Sequence, residues 1–193
     1  MSKRLIVLSG PSGVGKGTIA KLLVDRNDDI ALSISCTTRS PRPQEKDGRE
    51  YFFITKDEFL NKAREGGFLE YSEHFGNYYG TPKDFVLKAL RSKHVLLEID
   101  VNGGLEVKKN FPNALLIMVL PPNIDELKAR LRGRNTETEE NIKVRLQRIE
   151  YELSKKDAYD ILIVNDVLSE AVSEVEKVIK EKSNSKDSKG EIL

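Results

Sequence analysis

Five short apolar runs punctuate the chain, at Leu5–Leu8, Ile30–Ser35, Val95–Ile99, Ala114–Leu120 and Ile161–Val164. Several are apolar at consecutive positions, not alternate ones, which is the pattern of parallel strands covered on both faces. Between them lie segments with apolar residues at helical spacing. Leu168, Ala171, Val172, Val175 and Ile179 form one such stripe, with Asp166 as its predicted cap. Thr81-Pro82 predicts a cap followed by proline at the first helical position, and Asn123-Ile124-Asp125-Glu126 a capping box. Strand and helix in alternation predict an α/β fold, a parallel sheet flanked by helices.

Two stretches break that rhythm. Residues 36–80 are rich in Arg, Gly, Tyr and Phe, with short strands at Tyr51–Ile54 and Phe68–Tyr71 around one helix. That helix should start at Thr55-Lys56-Asp57-Glu58 and stop at Gly66-Gly67. The second stretch, 131–157, opens on an Arg/Gly/Thr/Glu-rich loop and continues as a helix with Ile142, Leu146, Ile149 and Leu153 on one face. Both are expected to be subdomains inserted on the ligand-binding side of the sheet, beyond the strand C-termini. The expected division is a core of 1–35, 81–130 and 158–180, insertions of 36–80 and 131–157, and a frayed tail of 181–193 with nothing to bury.

Composition narrows the classes. Lys+Arg number 32 against 31 Asp+Glu, so no basic excess draws the chain to nucleic acid or to an anionic membrane. The single cysteine, Cys36, suits a reducing compartment. The seven-residue run Ala114–Leu120 is too short to span a bilayer, and Leu5–Leu8 too short for a signal peptide. The expected location is cytoplasmic. His74 and His94 lack metal-cluster spacing and read as structural or solvated.

The chemistry begins at Gly10-Pro11-Ser12-Gly13-Val14-Gly15-Lys16, which follows the first strand and opens the first helix. Its glycines let backbone N–H groups turn inward as a nest for phosphates, the helix adds its positive end, and Lys16 reaches the β/γ oxygens. Gly17 follows, where many such loops carry the Ser or Thr that ligates magnesium, and Thr18 comes one place late. The metal then relies on phosphate oxygens and water, with Thr18 or Asp100 as candidate ligands, Asp100 through water. Asp100 reads nearly as well as a helix cap for the segment after Val101. Arg39 and Arg42 stand three apart between prolines and can fork around a dianionic phosphate. Arg130, Arg132, Arg134 and Arg145 crowd the second insertion and its border, where such arginines suit neutralisation of a phosphoryl group in transfer, although Arg132 reads as a solvated surface charge.

Gly10–Lys16, Thr37-Thr38-Arg39-Ser40-Pro41-Arg42, Gly76-Asn77-Tyr78-Tyr79-Gly80 and Gly133-Arg134-Asn135-Thr136-Glu137-Thr138 occur in the order and spacing of guanylate kinases, which the chain resembles from about Arg4 to Val178. The resemblance implies a phosphate-loop kinase that moves the γ-phosphoryl of ATP to GMP or dGMP, with Mg2+, a GMP-binding subdomain and a lid. It implies ATP on residues Gly10 through Thr18 with Arg130 and Arg134. It implies GMP phosphate on Arg39, Arg42, Tyr51 and Tyr79, and guanine on Ser35, Glu70 and Thr81 with an acid from Glu98 or Asp100. Lys16, Arg39, Arg42, Arg134 and Arg145 are the catalytic set so implied. Only one of Tyr78 and Tyr79 should face the ligand, since they alternate. The implied partners are nucleotides, in a monomer or homodimer. Two other readings compete: a non-catalytic guanylate-kinase-like binding module, and an adenylate kinase-like enzyme suggested by Gly15-Lys16-Gly17-Thr18.

Overall fold

The computed structural model describes residues 3–74, 76–127 and 139–184, and of 139–145 the backbone alone. The five apolar runs build one parallel sheet from β1 (Leu5–Ser9), β2 (Ile30–Leu32), β7 (His94–Glu98), β8 (Leu115–Leu120) and β9 (Ile161–Val164), ordered β2-β7-β1-β8-β9. All five residues of the central strand β1 are buried, because both faces are covered. Ile6 and Leu8 point into one core with Ile117 of β8 and with Ile19, Leu23 and Val175 from helices α1 (Lys16–Arg26) and α6 (Leu168–Asn184). Val7 points the other way, with Leu97, Leu116, Val86 and Val107, against α3 (Lys83–Ala89) and α4 (Val101–Asn110).

The run predicted as one strand from Ile30 to Ser35 stops at Leu32. The chain then leaves the sheet and starts another, with β3 (Cys36–Thr37), β4 (Phe52–Phe53), β5 (Phe68–His74) and β6 (Asn77–Pro82) in the order β4-β3-β6-β5. This sheet is mixed, parallel only between β3 and β4. Its packing centre is Phe59 of α2 (Lys56–Arg64), fully buried and stacked on Phe68 at 4.4 Å and on Tyr78 at 5.3 Å. Gly80 is required there, since a Cβ would stand 2.9 Å from the Phe59 ring. The Thr55–Glu58 capping box forms as the spacing predicts.

Three local expectations shift. α3 begins at Lys83 with Pro82 at its cap, so Thr81 is not a helix cap; it belongs to β6, and its hydroxyl goes elsewhere. α6 begins two residues beyond Asp166 and continues to Asn184, where the buried Ser183 donates to the Ile179 carbonyl at 2.6 Å. Residues 181–184 are therefore helical, not frayed, and the rest of the expected tail lies outside the described residues. The helix of the second insertion is α5 (Glu139–Leu153), and its C-terminal half packs on the first core through Leu146, Ile149 and Leu153. Among the described residues no helix is long and apolar enough to cross a membrane.

Candidate active site

The phosphate loop joins β1 to α1, and its backbone is forced by contact. Gly10 has φ +144°, and a Cβ there would sit 2.3 Å from the Val119 carbonyl oxygen. Gly15 has φ +100° and lies against Asn165, whose amide donates to the Val14 carbonyl at 2.8 Å and clamps the loop to the end of β9. Val14 itself is fully buried, so it anchors the loop in the core. No side chain caps α1 and no acid lies in its first turn, which leaves its positive end open to an anion. Lys16 folds back over the loop, donating to the carbonyls of Gly10 at 2.7 Å and Pro11 at 3.2 Å. Burial lowers its pKa, and the carboxylates of Glu98, Glu152 and Asp100 work against that.

A cleft of about 430 Å3 runs from this loop to the second sheet. Gly10, Ser12 and Lys16 line one end; Ser35, Arg42, Tyr51, Glu70 and Tyr79 line the other, with Glu98 and Asp100 between them. Tyr79 faces the cleft while Tyr78 stacks on Phe59, the division that strand alternation predicts. Arg39 lies against the Tyr51 ring at 5.6 Å, and both Glu45 carboxylate oxygens accept from its guanidinium at 2.9 Å. The Arg42 backbone N–H also donates to Glu45, and with Arg39 it holds that carboxyl below its usual range despite some burial.

Glu70 is 5% exposed, and its Oε1 accepts from the Thr81 hydroxyl at 2.6 Å. Burial pushes its carboxyl up to about 7, opposed by Thr81 and reinforced by the charge of Asp100. Asp100 caps α4, its Oδ1 accepting from Gly103 N at 2.8 Å. A Cβ on Gly103 would lie 2.8 Å from Glu70 Oε2 and 3.4 Å from Asp100 Oδ1, so the two carboxylates converge on one glycine.

The sequence model of the guanylate kinase family matches residues 2–182. The chain belongs to the guanylate kinase family. The guanylate kinase of Clostridium acetobutylicum is 46% identical over 182 residues, 93% of this chain and 87% of its own. That of Prochlorococcus marinus subsp. pastoris is 48% identical, over 92% of this chain and 97% of its own. The crystal structure of guanylate kinase from Anaplasma phagocytophilum superposes with a TM-score of 0.79 at 29% identity, covering 96% of this chain and 88% of that one. A shikimate kinase from Bacteroides thetaiotaomicron, TM-score 0.55 and 15% identical, shares the fold alone. The protein is thus a nucleoside monophosphate kinase on a phosphate-loop α/β fold, as its motifs imply.

Within this chain the expected site residues separate into groups. Thr18 is exposed on α1, outside the cleft lining, and Thr81 supports Glu70 from behind. Gly17 lies beside Glu98, whose Oε1 would be 3.3 Å from a Cβ at that position. Glu98 is open to solvent on one side, yet the surrounding walls push its carboxyl up, with Lys16 pulling it back. Arg130 and Arg134 lie outside the described residues, as does the side chain of Arg145. Among the described residues no group of three His, Cys, Asp or Glu side chains could hold a metal.

Four polar side chains of the lining were given no site role by the sequence: Ser72, His74, Arg148 and Glu152. His74, expected to be structural or solvated, is held in the cleft wall with its Nε2 2.8 Å from Asp100 Oδ2. His94 is buried, the structural alternative of its expectation, its Nδ1 accepting from Arg4 N at 3.1 Å. The legible trace of Arg148 was its helical spacing, three residues after Arg145 and four before Glu152.

Proposed function

We propose that the protein transfers the γ-phosphoryl group of ATP to GMP, and to dGMP, giving ADP and GDP or dGDP. The observation that carries this reading is the convergence of Glu70 and Asp100 on Gly103, facing the phosphate loop across one cleft. Guanine presents N1–H and N2–H2 donors side by side, which two carboxylate oxygens accept. Adenine presents a bare N1 there and leaves a buried acceptor unpaired, at a cost of about 1–3 kcal/mol.

ATP would lie along Gly10 to Lys16, its phosphates on the inward N–H groups and the open end of α1. Lys16 exchanges its two backbone acceptors for phosphate oxygens, a move within the loop it already covers. The GMP phosphate would meet Arg42, Tyr51 and Tyr79, with Arg39 released from Glu45 to join them. The attacking oxygen is already anionic, so positioning and charge neutralisation suffice, and no strong base is needed. Arg134 and Arg145 would bring further positive charge from the 131–157 lid and Arg130 from the core segment bordering it, with 36–80 as the GMP-binding subdomain. Magnesium fits this site through phosphate oxygens and water more than through protein ligands: Glu98 has open oxygens beside Lys16, while the oxygens of Asp100 already hold three donors. When bound, the ion neutralises charge on the β- and γ-oxygens.

A coupled assay of ADP formation with GMP, dGMP, AMP and CMP in turn tests the reading. GMP and dGMP should be used far faster than AMP or CMP. Equal rates with AMP would favour the adenylate kinase-like reading, and no turnover with any acceptor would favour a binding module.

A further inference from the structure

Asp100 needs only one carboxylate oxygen to cap α4, and its other oxygen has a separate set of partners. Oδ2 receives His74 Nε2 at 2.8 Å from β5 and Arg148 Nη2 at 3.1 Å from α5. The guanidinium also reaches the imidazole, with Nη1 3.3 Å from His74 Nδ1. A guanidinium has no lone pair to offer, so Nδ1 must accept and Nε2 must carry the hydrogen that points at Asp100. Arg148, His74 and Asp100 thereby close a ring across three elements. Ser72 Oγ adds a contact of 2.9 Å to Nε2 from the same strand as His74. Arg148 is anchored behind by Glu152, whose Oε1 accepts its Nε at 3.1 Å. Glu152 is 5% exposed and its Oε2 has no hydrogen-bond partner among the described residues. Burying that carboxylate is costly, and what it achieves here is to pin Arg148.

The ring leaves a defined remainder. A carboxylate offers about four lone-pair sites. Asp100 spends one on Gly103 and two on the ring, so one remains on Oδ1. That oxygen and Glu70 Oε2 flank the same glycine, at 3.4 and 2.8 Å from where its Cβ would stand. We propose that His74 and Arg148 are positioning residues that lock Asp100 so that its remaining lone pair accepts from the guanine 2-amino group, which makes them determinants of preference for 2-aminopurine nucleotides. The inference rests on GMP binding at Glu70 and Asp100.

Inosine monophosphate separates this role from a merely structural one, because it keeps N1–H and the O6 acceptor but lacks the 2-amino group. His74→Ala and Arg148→Met should lower kcat/KM for GMP about tenfold, mostly through KM, and for inosine monophosphate less than about threefold. His74→Gln should recover most of the GMP loss, since its side-chain amide can donate to Asp100 where Nε2 does. The GMP-to-inosine-monophosphate ratio does not depend on how much of a variant is folded, so it reads the role even if His74→Ala melts early. Equal losses for the two nucleotides, or an unchanged ratio in both variants, would overturn the proposal while the guanine reading stands. A wild-type enzyme that does not prefer GMP over AMP would bring down the guanine reading itself, and this inference with it.

Discussion

The two sheets of this molecule hold the two ends of its cleft by different means. The five-stranded sheet is aliphatic, parallel and covered on both faces. Its phosphate end presents mainly backbone, with the Lys16 side chain folded over it: the N–H groups of a loop whose path is dictated by contacts at Gly10 and Gly15. The four-stranded sheet is mixed, short and packed on the aromatic cluster around Phe59. What it presents is side chains, and each needs a partner from another segment, as Glu70 needs Thr81 and His74 needs Asp100. A site made of backbone recognises phosphate, which every nucleotide carries. A site made of side chains can tell one base from another, and it must keep its charges unpaired enough to do so.

The strongest way to break this contrast is at the phosphate end. Lys16→Ala should lower kcat by about 10²–10³, because it removes charge from the transferring phosphoryl group. The loss should be the same for GMP and AMP, since Lys16 lies at the base-blind end of the cleft. A kcat near that of the wild type in the folded variant would remove Lys16 from the chemistry. A loss that differs between the two bases would erase the division between the ends.

The same contrast explains what could be read in the sequence. Gly10 through Lys16 are contiguous and obey a local rule, and β1, β7, β8 and β9 announce themselves by consecutive apolar residues. The capping box of α2 is likewise local. Thr81 misleads because a threonine before a proline satisfies the rule for a helix cap, while its hydroxyl is taken by a carboxylate eleven residues away. Asp100, His74 and Arg148 come together across 26 and 48 positions of chain, and no spacing rule joins a strand end, a helix cap and a later helix. Family resemblance could point to Glu70, Thr81 and Asp100 but gave no role to His74 and Arg148, which hold Asp100.

The next largest effect belongs to the base end. Glu70→Gln keeps the volume but replaces one acceptor by a donor. Thr81 donates to Oε1 at 2.6 Å, which fixes the amide with its carbonyl toward Thr81 and its NH2 toward the cleft. That NH2 would face the N–H donors of guanine. GMP use should fall by about 2–3 kcal/mol in kcat/KM, roughly 30- to 150-fold, mainly through KM. AMP should gain relative to GMP, because the amide can donate to adenine N1. An unchanged GMP-to-AMP ratio would move base reading away from Glu70, toward Glu98 or Asp100.

The smallest effect is the most discriminating, because only the side-chain end of the cleft should titrate near neutrality. Glu70 stands at about 7, raised by burial, although Thr81 opposes the shift. Below that pH the free enzyme carries a protonated Glu70, which sets an O–H where guanine needs an acceptor. Bound guanine favours the ionised form, so binding must expel the proton. KM for GMP should therefore rise about tenfold per pH unit below about 7, stay level above it, and leave kcat little changed. A phosphate monoester takes its own second proton near pH ~6, so the wild-type profile alone mixes two titrations. Glu70→Gln keeps the titration of GMP and removes that of the protein, and the difference between the two profiles isolates the carboxyl. Stability runs the opposite way. A carboxyl raised on folding contributes stability that is present in full below its unfolded value near 4.5 and is lost as pH rises through about 7. The free protein should lose melting temperature over that interval, and saturating GMP should restore more of it at pH 8 than at pH 6. Parallel KM profiles for the wild type and Glu70→Gln would show that the base end, like the phosphate end, does not titrate in this range.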